Sequence, residues 1–230
     1  MGVIRFKGII FDLDGTLINT LADIALSMNR ALEAHGFLPV PEAEYINIVG
    51  WGIRRLAYLA LPEDQRNADP AGSKNSAALV AADAVKFYAE RPVVYSKPYP
   101  GIPELLAELK QIKIKTAVLS NKPDPVAQLV VARLFPPNTF DVVQGEAAGL
   151  PRKPDPASTW DILMKLDITP RETLFAGDSE IDMETARAAD CSPIGVSWGF
   201  RNRELLVEAG ALRIVDSPDE ILDLIGSKRY

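Results

Sequence analysis

Cysteine and histidine are nearly absent from this chain, with one of each in 230 residues. The single cysteine, Cys191, excludes an intrachain disulfide and fits a reducing compartment. It sits in Ala188-Ala189-Asp190-Cys191-Ser192-Pro193, between a helical pattern and an apolar run, and reads as a small buried hydrophobe rather than a nucleophile. With His35 as the only histidine there is no His/Cys cluster, which weighs against zinc. No apolar run approaches the ~18 residues of a membrane span, and the N-terminus shows neither a signal-peptide nor a myristoylation pattern. The expectation is a cytoplasmic protein with no membrane partner. Positive charge is short as well: 25 Lys and Arg against 31 Asp and Glu leave a net charge of −6. That excludes the broad basic face a nucleic-acid partner requires, and an anionic substrate would need local cations.

What is present is ordinary for a globular protein, 47% hydrophobic and 24% charged. The length suits one large domain or a domain with a smaller one. From Pro98 onward helical and strand patterns alternate. The strands are expected at Lys115–Leu119, Phe140–Val143, Thr173–Ala176, Pro193–Ser197 and Leu212–Val215, with helices between them. Such alternation predicts right-handed βαβ units: an α/β fold with a Rossmann-like doubly wound parallel sheet. An N-terminal strand, Val3-Ile4 with Gly8-Ile9-Ile10-Phe11, would join that sheet.

Residues 18–95 break the rhythm. Leu21, Ile24, Ala25, Met28, Ala31 and Leu32 recur at helical spacing, and further helices fit Ile53–Leu61 and Asn75–Glu90, with a loop over Asn67–Gly72. No strand pattern is visible there. The division expected is an α/β core of residues 1–17 and 96–230, with an all-helical domain of residues 18–95 inserted after the first strand.

In a doubly wound sheet, ligands bind beyond the C-terminal ends of the strands. Polar residues gather there in this sequence. Asp12 and Asp14 follow the first strand, on the same side of the chain because side chains alternate. Two carboxylates ~4 Å apart repel by about 4 kcal/mol at an effective dielectric of ~20, so such a pair calls for a proton or a cation. Ser120-Asn121-Lys122 follows the next predicted strand, Arg152-Lys153-Pro154 a later one, and Gly177-Asp178-Ser179-Glu180-Ile181-Asp182 another. Each piece has a plain alternative. An acidic strand end can open a solvated turn, Ser179 and Asp182 can cap a helix, and Lys153 can be a surface lysine. Together, the carboxylates form a set of hard oxygen ligands suited to magnesium.

These residues resemble the haloacid dehalogenase superfamily of phosphotransferases over essentially the whole chain. Its four motifs are matched, in order, by Asp12-Leu13-Asp14-Gly15-Thr16, Ser120, Lys153 and Gly177-Asp178-Ser179-x-x-Asp182, and the insert stands where that superfamily carries a small helical cap. Tyr99-Pro100-Gly101, Ser120-Asn121-Lys122-Pro123 and Lys153-Pro154-Asp155-Pro156 look most like phosphoglycolate phosphatases. Where relatives often carry Asp-Ser after the first motif, this chain has Asn19-Thr20.

The resemblance implies a magnesium-dependent phosphatase of small phosphorylated metabolites, 2-phosphoglycolate first among them. Asp12 would attack phosphorus and form an aspartyl-phosphate, and Asp14 would protonate the leaving oxygen and then activate water. Magnesium would be held by Asp12, the Asp14 carbonyl and Asp178, with Asp182 a ligand through water or a support. Ser120 and the region of Asn121 would bind phosphoryl oxygens, and Lys153 would hold Asp12 and the phosphate. In the insert, Arg54 or Arg55, opening a helix after Gly50-Trp51-Gly52, could clamp a substrate carboxylate or simply lie on a solvated helix face. His35 is expected at a helix end on the surface. Inorganic pyrophosphatase and sugar phosphomutase share the same core residues, and a catalytically silent phosphate-binding regulatory module is the non-enzymatic alternative. Assembly as monomer or homodimer is expected.

Overall fold

In the computed structural model, residues 6–66 and 76–226 are described. The strand residues Val3-Ile4, the loop Asn67–Gly72 and the helix start at Asn75 lie outside them. β1 (Gly8–Phe11) leads into a two-residue strand β2 (Ile18–Asn19). Five helices follow: α1 (Leu21–Ala34), α2 (Glu42–Tyr45), α3 (Ile53–Ala60), α4 (Glu63–Arg66) and α5 (Ser76–Glu90). β3 (Lys97–Pro98) then opens the alternating region. It continues through α6 (Ile102–Gln111), β4 (Lys115–Pro123), α7 (Asp124–Leu134), β5 (Val142–Glu146), α8 (Ala157–Leu166), β6 (Thr173–Gly177) and α9 (Glu180–Ala188). β7 (Ser192–Val196), α10 (Arg203–Glu208), β8 (Arg213–Val215) and α11 (Asp219–Ile225) complete it.

Six strands form one parallel sheet in the order β5-β4-β1-β6-β7-β8, the doubly wound arrangement expected. β1 lies at its centre, and Ile9, Ile10 and Phe11 are completely buried. A strand covered by helices on both faces reads as a continuous apolar run, as this one does. Each such side chain contributes about 1.5–3 kcal/mol by leaving water, so β1 anchors the sheet. Registry fixes where the chains leave it. Phe11 pairs with Val118 on β4 and with Ala176 on β6. Asp12, Leu119-Ser120 and Gly177-Asp178 therefore emerge side by side at the same edge.

Among the described residues between β2 and β3 the regular structure is helical, α5 packing along α1 and α3. One expectation is corrected here: the start of the insert contains a strand. Ile18–Asn19 pairs antiparallel with Lys97–Pro98, so the chain leaves the core and returns to it through one short ribbon. Asp23 fastens the same junction. Its carboxylate accepts bonds from the backbone N–H groups of Val94, Tyr95 and Ser96 and from the Ser96 hydroxyl. His35 ends α1 half-buried rather than free on the surface, with Nε2 2.9 Å from an Asp83 oxygen of α5.

Candidate active site

The predicted core residues meet at the C-terminal edge of the sheet. Lys153 is buried, and its Nζ donates to Asp12 Oδ1 and Asp182 Oδ1, each at 2.6 Å. Asp12, Asp178 and Asp182 present carboxylate oxygens that all lie within 4.8 Å of one another. Three carboxylates, Asp12, Asp178 and Asp182, thus crowd around one ammonium bonded to two of them, and the electrostatics show the excess. Burial raises the pKa of Asp12 well above the ordinary carboxylate range; Lys153 opposes this, while Asp182, Asp178 and Asp14 reinforce it. Asp178 is pushed up to about 7, by burial first and Asp182 second, against the Phe200 N–H, Arg201 and Lys153. Lys153 is lowered by burial but raised overall by Asp12 and Asp182, and stays charged.

Oxygen-only donors, deep burial and surplus negative charge suit a hard divalent cation. Two glycines packed against Asp178, Gly15 of the first motif and Gly199 of the loop after β7, make the approach possible. At Gly15, with φ +92°, a Cβ would fall 2.3 Å from an Asp178 oxygen, and at Gly199 it would fall 2.2 Å from the Asp178 Cβ.

Asp182 does two things at once. Its Oδ2 accepts from the Ser179 N–H and hydroxyl, at 3.1 and 2.6 Å, closing the capping box at the start of α9. Its Oδ1 accepts a hydrogen bond from Lys153 Nζ. Helix capping and site construction, which look like competing readings in the sequence, share one carboxylate.

The Asp14 carboxylate stands apart from that trio. Thr20 Oγ1 donates to its Oδ1 at 2.6 Å, and Lys122 Nζ donates to both oxygens at 3.0 and 3.1 Å. The departure at Asn19-Thr20 is therefore a contact to Asp14. Lys122 also rests 4.4 Å from the centre of the Tyr88 ring, on α5 of the insert. Burial lowers its pKa, but Asp14 and Tyr88 more than offset this and leave it at about 12.

Ser120 is buried, and its Oγ accepts the Lys122 N–H at 3.1 Å, which leaves the hydroxyl proton for another acceptor. Asn121 is spent internally. Its side chain accepts the Lys153 N–H and donates to the Lys153 and Gly50 carbonyls, at 2.9, 3.1 and 3.0 Å.

A cavity between insert and core is lined by Asp12, Asp14, Ser120, Lys122, Lys153 and Asp178 at its base, and by Ile24, Val49, Ile53, Leu56, Val85 and Tyr88 from the insert. Gly50 and Gly52 line it too, whereas Arg54 and Arg55 do not. Both arginines are exposed, and Arg55 lies 5.2 Å from the Tyr58 ring. Two cations given no site role in the sequence, Lys122 and Arg201, line the cavity, the latter from the loop after β7. The Arg201 guanidinium donates to the carbonyls of Ile46 and Val49, the latter at 2.7 Å, and reaches Glu180 at 3.3 Å. Cys191 is buried as expected, and burial followed by Asp190 pushes its thiol up to about 12.

The family described as haloacid dehalogenase-like hydrolase matches residues 9–196. The chain belongs to this family. It is an enzyme, and its relatives are phosphatases acting on phosphoric monoesters. It is 31% identical over 221 residues to a phosphoglycolate phosphatase of Haemophilus influenzae, covering 96% of this chain and 99% of that one. It is also 31% identical over 224 residues to an N-acetylmuramic acid 6-phosphate phosphatase of Pseudomonas aeruginosa, covering 96% and 95%. Among solved structures, that of a predicted phosphoglycolate phosphatase from Haemophilus somnus superposes with a TM-score of 0.86 at 29% identity, covering 97% of this chain and 99% of that chain. No helix among the described residues is long and apolar enough to cross a membrane.

Proposed function

We propose that this haloacid dehalogenase-like hydrolase is a magnesium-dependent phosphatase of small phosphorylated metabolites, working through an aspartyl-phosphate, with 2-phosphoglycolate as its substrate and the cytoplasm as its place of action. The observation that carries the reading is the Lys153 ammonium bonded at 2.6 Å to both Asp12 and Asp182 beside Asp178, with Asp14 lining the same cavity. The substrate follows the names of relatives that match nearly the full chain.

Asp12, Asp178 and the Asp14 carbonyl would hold the ion, with Asp182, whose oxygens bond Lys153 and Ser179, a ligand through water or a support. When bound, magnesium supplies positive charge to phosphoryl oxygens and relieves the carboxylate excess. Lys153 fixes one Asp12 oxygen, leaving the other to attack phosphorus as the bond to the leaving oxygen breaks. The Ser120 hydroxyl and backbone N–H groups near Leu13 and Asn121 bind the transferred group. Asp14 gives its proton to the leaving alcohol, then takes one from the water that hydrolyses the aspartyl-phosphate. In this scheme residues 18–95 act as a cap over a core of 1–17 and 96–230.

The test is phosphate release from a panel headed by 2-phosphoglycolate and pyrophosphate, with a sugar phosphate and an N-acetylated sugar 6-phosphate, with and without magnesium. Highest kcat/KM on 2-phosphoglycolate with loss on chelation supports the proposal. Preference for pyrophosphate, transfer between sugar positions in place of release, or no magnesium requirement overturns it.

A further inference from the structure

The cavity is lined by three cations, and each has a different commitment. Lys153 is bound by Asp12 and Asp182 on the phosphoryl side. Arg201 is held by two backbone carbonyls and Glu180. Lys122 pairs with Asp14 alone among carboxylates. Resting on the phosphoglycolate reading above, we propose that Lys122 is the specificity-determining residue of this site, receiving the carboxylate of the leaving group.

The position follows from the chemistry of the ester. Asp14 meets the oxygen that leaves, and in 2-phosphoglycolate the carboxylate is one methylene from that oxygen. A carboxylate so placed lies among the immediate neighbours of Asp14. Lys122 is the cation among them, 3.0 Å from Asp14 Oδ1. An ammonium carries three donors, so its two contacts to the Asp14 carboxylate leave capacity for a second anion.

The walls strengthen the attraction. Ile24, Leu56, Val85 and Val126 line the same cavity, Tyr88 packs its ring 4.4 Å from the Lys122 ammonium, and the Lys122 side chain is only 7% exposed. An ion pair there is about four times stronger than in water if the effective dielectric is ~20 rather than ~80. An apolar wall with one ammonium selects an anionic leaving group over a neutral polar one, because the neutral group loses water and gains no charge partner. Arg54 and Arg55 are exposed and outside the cavity lining.

The experiment compares 2-phosphoglycolate with 2-hydroxyethyl phosphate, in which a hydroxymethyl group replaces the carboxylate, using wild type, Lys122→Met, Lys122→Gln and Lys122→Arg. Both substrates need Asp14, so both slow in the Met variant. The ratio of their kcat/KM values isolates the carboxylate and does not depend on how much enzyme is folded. Lys122→Met is expected to lower the preference for 2-phosphoglycolate about 10–100-fold, mostly through KM, and Lys122→Arg to restore part of it. Lys122→Gln, which keeps a donor for Asp14 without the charge, should lose the preference as Met does. An unchanged ratio in the Met and Gln variants overturns the role of Lys122 while leaving the phosphatase reading intact. Wild-type enzyme that hydrolyses 2-hydroxyethyl phosphate as well as 2-phosphoglycolate overturns both.

Discussion

Lys153 and Asp182 are 29 residues apart and meet at 2.6 Å beneath the nucleophile position, with side chains 4% and 1% exposed. The same carboxylate caps α9 through its other oxygen, so the helix start and the lysine are set by one group. Asp182→Asn keeps an oxygen for the cap but removes the charge. Its expected effect is a fall in kcat of at least tenfold with a small change in Tm. Lys153→Met strands buried carboxylates and should cost about 3–5 kcal/mol in metal-free protein, read by urea unfolding. A Met variant as stable as wild type would mean that the acids do not depend on the lysine.

Asp12→Asn tests the nucleophile. The amide fills the same space and cannot form the acyl phosphate, so phosphate release should fall at least ~1000-fold. Because burial and three neighbouring acids oppose charge at this position, removing that charge should leave the metal-free Tm equal to or above wild type. Wild-type turnover would remove Asp12 from the mechanism.

The proposed metal dependence carries a pH signature. Folded Asp178 has a pKa of about 7 against an ordinary 3.8, and Asp12 is raised too. Between those limits the folded protein binds more protons than the unfolded chain, so stability falls as pH rises. For Asp178 the penalty is absent below about pH 4 and approaches its full size about one pH unit above 7. A cation that replaces those protons should therefore stabilise more at pH 8 than at pH 5. At 100 times Kd, binding is worth about 2.7 kcal/mol, or roughly 5–10 °C for a chain of this length. Equal magnesium shifts at both pH values in thermal denaturation would contradict the acid cluster as the binding site.

The sheet was readable because buried parallel strands are plain apolar runs, and because three exits from neighbouring strands carry Asp12, Ser120 and Asp178. What escaped has physical reasons. β2 and β3 are two residues each, and α2 and α4 four each, too short to show any period. Arg54 and Arg55 are adjacent on α3, about 100° apart around the axis, so the pair could not both face one ligand. Lys122 is visible in the sequence beside Ser120, but its bond to Asp14 spans 108 positions, and no local pattern announces it. Arg201 follows β7, another strand ending at the same edge; extending the same exit argument to that strand would have flagged it.

Arg201 also yields a prediction about the cap. It belongs to the core, next to Phe200, whose N–H bonds Asp178 Oδ2 at 2.7 Å. Its guanidinium reaches the carbonyls of Ile46 and Val49, just past the end of α2, where unpaired carbonyls and the helix dipole favour a cation. Asn121 holds the Gly50 carbonyl from the other side. Hydrogen bonds to a charged group are worth about 1.5–3 kcal/mol each, enough to hold residues 46–49 firmly against the loop after β7. Arg201→Ala should therefore speed amide hydrogen exchange at Asn47, Ile48 and Val49, whose N–H groups bond within the α2 turn, while the β1 and β6 amides keep their protection. The kcat/KM for 2-phosphoglycolate should fall at least tenfold, and Arg201→Lys should recover part of it. Faster exchange throughout the core would show general destabilisation, and unaltered exchange at 47–49 would show that this guanidinium does not hold the cap.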